Sequence, residues 1–325
     1  MSSPLVILVL VHGHFGWGET EKRENQMKDY FYGVQRFLAT EYGTRPDFRL
    51  VMVAPTVPRA ESVEARGARL KEAIATIPHG RSPGTRVHIL AHRMGGLDAR
   101  WVIVQEGMAD KIASLTTIAT PHRGTTLGDL AYDELPIILP AGEFLQRLDK
   151  TRRWIWRRLP FTRAASSDQL EFYHQLLQGF DSTEDQLGKA LYALSLAGAA
   201  EFNRRYAQAE RAVRERTKNR VAYFAYGGVM RPSQTPLLKP SHHIIALFGR
   251  EEEREEGNDG AVSVWSSRYP WDDAGRDYVK TVPFDHFMQI NWRIPDRRPS
   301  EQMSDDLKTV YREIMEAIIR VQRAQ

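Results

Sequence analysis

Four apolar runs punctuate the first 120 residues of the chain. They cover residues 5–11, 50–54, 86–91 and 112–119, and the first of them, LVILVLV, has no polar residue. Near-continuous apolar runs of this length predict strands that are buried on both faces, as in a parallel sheet.

Between these runs the apolar residues recur at three- and four-residue steps, which is typical of amphipathic helices. The spacing predicts helices over residues 23–41, 62–77 and 95–105. Strands alternating with helices predict an α/β fold with a mostly parallel sheet and helices on both of its faces.

The pattern changes between residues 127 and 216, where strand signals disappear and helices are predicted over 171–180 and 184–204. This predicts three parts: residues 1–126 as the first part of a core, 127–216 as a helical insertion, and 217–325 as the second part of the core. Further strands are predicted over 220–226, 261–265 and around Thr281 and Val282, followed by a helix over 304–323. The acidic run 251–256 is interpreted as a solvated loop or helix end.

Composition narrows the class of protein. Hydrophobic residues make up 42% and charged residues 26% of the 325 residues, which is ordinary globular usage and disfavours a disordered or coiled-coil chain. The absence of cysteine excludes disulfides, thiolate metal sites and a cysteine nucleophile. The net charge of +4 is mildly basic, and no nucleic-acid motif accompanies it.

The segment Ala91-His92-Arg93-Met94-Gly95-Gly96 follows the third predicted strand and precedes a helix. This is the place of the G-x-S-x-G elbow, a strained turn that projects a nucleophile from the sheet while small neighbours keep the backbone clear. Here the central position is Arg93.

Other segments support the interpretation of an elbow. The sequence LVHGHFG at 10–16 has the form of an oxyanion loop, and Asp259 and His286 follow the elbow in the chain order nucleophile, acid, histidine. The segment TPHRG at 120–124 closes the fourth predicted strand.

Together with LSLAGAAEFNRRY at 194–206, NDGAVSVWSS at 258–267 and DHFMQINW at 285–292, these motifs resemble the bacterial triacylglycerol lipases and their intracellular fungal relatives. The resemblance extends from about Val9 to Trp292 and implies an α/β-hydrolase fold with a helical lid insertion. It implies that Asp259 is the triad acid and His286 the general base, with the backbone N–H groups of His14 and Met94 as oxyanion donors.

We expect substrate contacts from His12, Phe15, Thr120, Trp154 and Trp156, with an acyl ester or lipid as substrate and no cofactor. Similar secreted lipases hold calcium through two aspartates, whose places here are Lys239 and Met288. An ammonium and a thioether are poor ligands for calcium, so we predict no metal there.

Arg93 departs from the family at the nucleophile. A guanidinium offers only hydrogen-bond donors and is not a nucleophile, and its charge disfavours the imidazolium that the mechanism must form. Its length allows it to fill the substrate site or to pair with Asp259. Two interpretations stay open: an ester hydrolase scaffold that is nearly inactive, and a non-catalytic protein that binds a lipid or another anionic ligand in the former active site.

Other hydroxyls and imidazoles near the elbow have simpler interpretations. Thr120, Thr125 and Thr126 are expected to cap the insertion or turn the chain. His12, His14, His92 and His122 form no recognisable metal set and are expected to make local hydrogen bonds.

The segment 150–163, KTRRWIWRRLPFTR, carries six cationic residues and no acid. It is interpreted either as an amphipathic helix packed on the protein body or as a peripheral contact with a lipid surface. No transmembrane helix and no leader are recognised, so we expect a cytoplasmic protein, with a secreted protein whose leader has been removed as the alternative. The oligomeric state is left open.

Overall fold

The computed structural model describes residues 4–20, 29–77, 86–134, 182–216, 218, 220–231, 235, 238–292 and 302–324. The predicted helix over 171–180, the basic segment 150–163 and both of its tryptophans, Trp154 and Trp156, lie outside these residues. The limits proposed for the helical insertion are therefore a prediction, although the described parts of 127–216 are helical.

Six parallel strands form the sheet of the described chain. They are β1 (Leu5–Val11), β2 (Arg49–Val53), β3 (Val87–His92), β4 (Ile112–Ile118), β5 (Ala222–Gly228) and β6 (Tyr278–Val282). Their order across the sheet is β2-β1-β3-β4-β5-β6, and every neighbouring pair is parallel.

The described helices are α1 (Val34–Tyr42), α2 (Val63–Thr76), α3 (Gly95–Ile103), α4 (Thr126–Asp133), α5 (Glu184–Leu194), α6 (Leu196–Arg214), α7 (Lys239–Phe248), α8 (Glu251–Glu255), α9 (Val264–Ser267) and α10 (Asp305–Arg323). A 3₁₀ turn covers Met288–Ile290. In the described part of the chain, no helix is long and apolar enough to cross a membrane.

Alternate residues of β1 enter two different cores. Val6, Leu8 and Leu10 pack in the cluster that includes residues of α1 and α10, whereas Ile7 and Val9 pack in the cluster that includes residues of α2 and α3. Because successive side chains of a strand point to opposite faces, an all-apolar strand requires cover on both. The predicted α/β fold with helices on both faces is confirmed.

Two predictions of local structure are wrong. The single helix predicted over 184–204 is two helices, because Ser195 is extended and its Oγ accepts a hydrogen bond from the N–H of Gly198, which caps α6. The strand predicted over 261–265 is a turn followed by the short helix α9, whose cap is Ser263. In both places a capping serine lies within an apolar run.

The acidic run at 251–256 is also not simply solvated. It forms α8, and Glu253 is fully buried, with its carboxylate accepting hydrogen bonds from the hydroxyl and the N–H of Thr126 at 2.6 and 3.3 Å. The run thus fastens α8 to the start of α4. The helix predicted over 23–41 is observed from Val34, and residues 21–28 lie outside the described part.

Candidate active site

Arg93 lies at the turn between β3 and α3 with φ of 53°. Positive φ is rare for a residue that has a β-carbon, and such conformations concentrate at functional sites. The backbone therefore has the strained turn that the elbow motif predicts, with a guanidinium at its apex.

Close packing around the apex explains the neighbouring glycines. A β-carbon on Gly13 would lie 2.6 Å from the β-carbon of Arg93, and one on Gly96 would lie 2.2 Å from Oγ1 of Thr120. A β-carbon on Gly95 would lie 2.7 Å from the carbonyl oxygen of His12. The oxyanion loop, the elbow and the TPHRG segment are thus in direct contact.

Hydrogen bonds hold the loop that follows β1. Nδ1 of His12 bonds to the carbonyl of Gly13 at 2.9 Å, and its Nε2 accepts from the N–H of Val57 at 3.3 Å. The N–H of Gly13 donates to the hydroxyl of Tyr30 at 3.2 Å. These bonds fix the backbone that directly precedes His14.

A buried ion pair fastens the same loop to the first turn of α3. The guanidinium of Arg66 contacts Oδ2 of Asp98 at 2.8 Å, and both side chains are fully buried. The same guanidinium donates to the carbonyl oxygen of His12 at 2.9 Å and to that of Pro58. Arg66 therefore connects the elbow helix to the oxyanion loop.

Asp259 and His286 lie together as the chain order predicted. Nδ1 of His286 is 2.9 Å from Oδ2 of Asp259, and the N–H of His286 donates to the carbonyl of Asp259 at 2.9 Å. Nε2 of His286 is buried and has no hydrogen-bond partner among the described residues. An imidazole that a carboxylate orients in this way can act as a general base through its unbonded Nε2.

The carboxylate of Asp259 is fully engaged. Oδ1 accepts from the N–H groups of Ala261 and Val262 at 3.0 and 2.8 Å, and Oδ2 accepts from Nε2 of Gln289 at 2.8 Å in addition to His286. These groups fix the carboxylate towards the imidazole. They also leave it poorly placed to accept Arg93.

Arg93 consequently bonds elsewhere. Its Nη1 donates to the carbonyl oxygen of His14 at 3.3 Å, and no ion pair joins Arg93 to Asp259 in the described part of the chain. The pairing with Asp259 considered from sequence is therefore not observed. The guanidinium lies across the oxyanion loop instead.

Burial and the charge of Arg93 together determine the protonation of the neighbouring imidazoles. Burial lowers the pKa of Arg93 itself, against the raising effect of Tyr30 and Asp259. Burial and then the charge of Arg93 hold the pKa of His14 well below its usual range. Burial, His286 and Arg93 do the same to the pKa of His92. Both imidazoles are thus neutral at physiological pH.

His92 connects the elbow with the predicted base. Its ring centre is 4.7 Å from that of His286, and its Nδ1 is 2.8 Å from the hydroxyl of Tyr30. Because His92 precedes Arg93 directly, this contact places His286 beside the apex of the elbow. The sequence predicted a local hydrogen bond for His92, but its partner Tyr30 is 62 residues away in the chain.

The other predicted residues have different surroundings. His122 forms a hydrogen bond with the hydroxyl of Thr117 at 3.1 Å, as expected. Thr125 caps α4, also as expected. Neither ring nitrogen of His14 has a hydrogen-bond partner among the described residues. Phe15 packs on the cluster that contains Met94, and Thr120 is fully buried against Gly96. Their contact with substrate is a prediction, as are the oxyanion roles of His14 and Met94.

Three residues of the site were not predicted from the sequence: Gln289, Tyr30 and Arg66. Gln289 follows His286 by three residues, a spacing that brings side chains to the same face of a helical turn and that could have indicated it. Tyr30 and Arg66 approach the site only through the packing of distant segments, and no local pattern marks them.

Among the described residues, no group of three or more His, Cys, Asp or Glu side chains could hold a metal ion. Lys239 begins α7 and Met288 begins the 3₁₀ turn, where its N–H donates to Asp285 at 2.9 Å. Both are poor calcium ligands, and the expected absence of calcium stays a prediction.

Comparison of sequences relates the chain to lipases. It is 33% identical to triacylglycerol lipase 2 of Saccharomyces cerevisiae over 110 residues, covering 32% of this chain and 31% of that protein. It is 26% identical to a triacylglycerol lipase of Vibrio cholerae over 267 residues, covering 80% and 73%. The chain spans about a third of the length of the first relatives, and no family model matches it.

Comparison of structures identifies the fold. The chain superposes on Staphylococcus hyicus lipase with a TM-score of 0.64 at 18% identity, covering 98% of this chain and 97% of that one. It superposes on the mature lipase BlEst2 of Bacillus licheniformis with a TM-score of 0.57 at 17% identity, covering 98% and 92%. The chain therefore has the α/β-hydrolase fold.

Proposed function

We propose that this α/β-hydrolase is an ester hydrolase scaffold of the lipase or carboxylesterase type whose hydrolytic step is blocked at position 93. The observation that carries the proposal is the pair of Asp259 and His286, whose free Nε2 lies beside an elbow that bears a guanidinium. The similarity to triacylglycerol lipases supports acyl esters as the substrate class.

Acyl transfer through this site needs an oxygen that His286 can deprotonate. In the mechanism for which the site is arranged, His286 accepts that proton, Asp259 holds the imidazole and stabilises its charged form, and backbone N–H groups of the loop and elbow stabilise the oxyanion. Arg93 supplies no oxygen. His286 therefore has no hydroxyl to deprotonate at the elbow, and acyl transfer cannot begin.

The residues that remain in the site can support only a low rate of ester hydrolysis. Loss of a triad member leaves roughly 10³-fold catalysis over water from the oxyanion groups and binding. Here the guanidinium also lies across the loop, where it bonds to the carbonyl of His14. We therefore expect the chain with Arg93 to be close to inactive on esters.

Restoring a hydroxyl tests this proposal. Hydrolysis of short-chain p-nitrophenyl esters should rise by about 10³-fold or more in Arg93→Ser, because serine supplies the oxygen and removes the charge. Arg93→Ala is the matched control, since it removes the charge without adding a nucleophile, and it should stay at the low rate of the parent chain.

A second variant checks that the recovered activity uses the proposed base. Arg93→Ser combined with His286→Ala should return to the background rate. Appreciable turnover by the unaltered chain, or equal rates for Arg93→Ser and Arg93→Ala in folded protein, would contradict the proposal.

One observation favours a second function, the binding of an anionic acyl ligand. The bonded partner of Arg93 is the neutral carbonyl of His14, and Asp259 is engaged by four other donors, so the guanidinium charge at the elbow is not neutralised by a bonded carboxylate among the described residues. A fatty-acid carboxylate is a ligand that such a group would bind.

Calorimetric titration with decanoate distinguishes this function from the first. If the chain is a binder, decanoate binds to the parent, and Arg93→Leu abolishes that binding while Arg93→Lys retains part of it. Absence of saturable binding by the parent chain would contradict the second function and leave the first unaffected. For the segment 150–163 we keep the proposal of a peripheral contact with a lipid surface.

A further inference from the structure

The guanidinium at the elbow has more hydrogen-bond donors than acceptors. Its Nη1 donates to the carbonyl oxygen of His14 at 3.3 Å, and the guanidinium forms no other hydrogen bond with a described residue. A guanidinium has five N–H donors, so most of those of Arg93 have no acceptor in the described part of the chain. Arg93 is only partly buried, so a ligand can reach these donors.

Two backbone N–H groups beside the guanidinium are also without acceptors. The N–H of His14 and the N–H of Met94 form no hydrogen bond with a described residue. Met94 is the N-cap of α3, where the N–H groups point out of the helix and the helix end carries roughly half a positive charge. A β-carbon on Gly13 would lie 3.1 Å from Cδ of Arg93, so the arginine runs along the loop that carries His14.

Buried side-chain atoms at the elbow lack partners as well. Nε2 of His286 and Oγ1 of Thr120 are buried and form no hydrogen bond with a described residue. The ring of His286 is centred 4.7 Å from that of His92, which directly precedes Arg93. A β-carbon on Gly96, in the first turn of α3, would lie 2.2 Å from Oγ1 of Thr120. Because buried polar atoms are normally bonded, these atoms indicate a polar ligand at the elbow.

The charges that act on Arg93 determine the charge of such a ligand. Asp259 and Arg66 both act on the guanidinium, but Arg66 is balanced by its buried partner Asp98 at 2.8 Å. This leaves one positive charge on Arg93 and one negative charge on Asp259. Burial keeps the other titratable groups beside the guanidinium neutral, because it shifts the pKa values of His14, His92 and Tyr30.

Acyl transfer provides the reference for this arrangement of charges. Its tetrahedral intermediate carries one negative oxygen beside an imidazolium and a carboxylate, and a serine at the elbow adds no charge to that state. Arg93 adds one positive charge at the same place, while Asp259 and His286 are retained. The matching ligand is therefore tetrahedral and carries one more negative charge than the intermediate. A phosphate monoester has this shape and a charge of about −1.5 to −2 at pH 7.

A carboxylate matches these groups less completely. It is planar and has two oxygens and one negative charge, whereas a phosphate monoester has three terminal oxygens. Two of the three can accept from a guanidinium in bidentate fashion, which leaves the third for the backbone N–H groups. A proton shared between the phosphate and Nε2 of His286 satisfies the imidazole.

We propose that the elbow of this chain binds the phosphate monoester of an apolar alcohol, with the phosphate held by Arg93, by the two backbone N–H groups and by His286. The apolar alcohol rests on the proposed function, because a scaffold of the lipase type implies a ligand with an acyl-like chain. The phosphate rests on the unbonded donors and the charges at the elbow. No bond of the ligand is made or broken.

Calorimetric titration of the full chain with decyl phosphate, decyl sulfate, decanoate and inorganic phosphate tests the proposal, at concentrations below micelle formation. Decyl phosphate should bind about tenfold or more tightly than either decyl sulfate or decanoate, because each of these carries a single charge. Inorganic phosphate, which has no chain, should bind more weakly than decyl phosphate. No binding of decyl phosphate at millimolar concentration, or equal affinity for any of the other three ligands, overturns the proposal.

Variants locate the phosphate. Arg93→Leu should weaken the binding of decyl phosphate about tenfold or more, and Arg93→Lys should bind with intermediate affinity, because lysine keeps the charge without the bidentate donors. His286→Phe should weaken the binding of decyl phosphate and leave that of decanoate unchanged. Arg211→Leu is the matched control, since Arg211 is exposed in the last turn of α6, and it should bind normally. Full affinity in folded Arg93→Leu overturns the assignment.

The two proposals can fail separately. Turnover of p-nitrophenyl esters by the parent chain would contradict the blocked hydrolase, and the titration with decyl phosphate would still report whether the phosphate binds. An inactive parent chain that does not bind decyl phosphate overturns this inference and leaves the proposed function in place.

Discussion

Arg93 occupies a backbone position that few side chains adopt, and the surrounding residues fix it there. Its φ of 53° costs of order 1–3 kcal/mol, which close packing of the elbow against Gly13, His12 and Thr120 must offset. Such strain is expected where a side chain must be projected from the sheet. The turn thus keeps the geometry of a nucleophile elbow around a residue that cannot serve as the nucleophile.

Arg66 and Asp98 show a second residue-scale feature, a buried ion pair that holds the oxyanion loop. Arg66→Leu should lower the free energy of unfolding by about 3–5 kcal/mol, because it leaves the fully buried Asp98 without its partner and the carbonyl of His12 without a donor. Urea unfolding monitored by tryptophan fluorescence measures the loss.

The double variant Arg66→Leu, Asp98→Leu is the control for that prediction. Removing both charges should recover part of the lost stability, since no unpaired charge stays buried. A single variant that unfolds at the same urea concentration as the parent would contradict the assigned role of the pair.

Active-site residues that lie within a sequence motif could be predicted from the sequence. Residues that reach the site only through tertiary packing could not. The spacing of motifs identified Arg93, Asp259 and His286, and the structure brings the latter two to 2.9 Å. Tyr30 and Arg66 lie far along the chain from their partners. The direction of the Arg93 side chain also depended on the four donors that occupy Asp259, which no sequence pattern reports.

At the scale of elements, periodicity identified β1 to β5 to within about two residues and marked only the end of β6, and it failed where a cap interrupts an apolar run. β1 is uniformly apolar, and β3 and β4 are buried along their whole length although they contain histidine, serine or threonine. Ser195 and Ser263 each begin a helix inside an apolar run, and a single hydroxyl changes the local structure there without altering the hydrophobic pattern.

Glu253 gives a prediction at the same scale, because it joins α8 to α4. Glu253→Ala should lower the free energy of unfolding by about 2–3 kcal/mol, since it removes charge-assisted hydrogen bonds to Thr126 from a fully buried position. Thermal or urea unfolding measures the effect.

Glu252→Ala is the matched control, as Glu252 is exposed in the same helix and has no bonded partner among the described residues. It should change stability by less than about 0.5 kcal/mol. Equal effects of the two substitutions would contradict the buried role of Glu253.

At the scale of the whole molecule, alternation of strands and helices was sufficient to predict a parallel sheet covered on both faces. The order of the strands across the sheet was not predictable, because it depends on which crossovers pack together and not on local pattern. The same long-range packing buries His12, His14, His88, His92 and His122, and burial lowers their pKa values.

These buried histidines predict that the folded chain loses stability as the pH falls. Burial lowers the pKa of His88 to about 4, while an unfolded histidine titrates near 6.5, so the unfolded chain binds the extra proton as pH falls between these values. Stability present at pH 7 is therefore lost on acidification. His88 alone should account for about 2 kcal/mol of that loss between pH 7 and pH 5.

Urea unfolding of the parent, His88→Asn and His243→Asn at both pH values checks the assignment. His88→Asn should reduce the difference in unfolding free energy between pH 7 and pH 5 by about 2 kcal/mol. His243 is exposed, so His243→Asn should leave the difference unchanged. A difference that is the same in all three chains would show that His88 does not stay neutral in the folded state.

The most direct test of the blocked elbow is covalent labelling with an alkyl phosphonate ester, followed by peptide mass spectrometry. The account predicts that Arg93→Ser is labelled at residue 93, that His286→Ala abolishes this labelling in the Arg93→Ser chain, and that the parent chain is not labelled. Stoichiometric labelling of the parent at any other side chain, or an Arg93→Ser chain that folds and is not labelled, would contradict it.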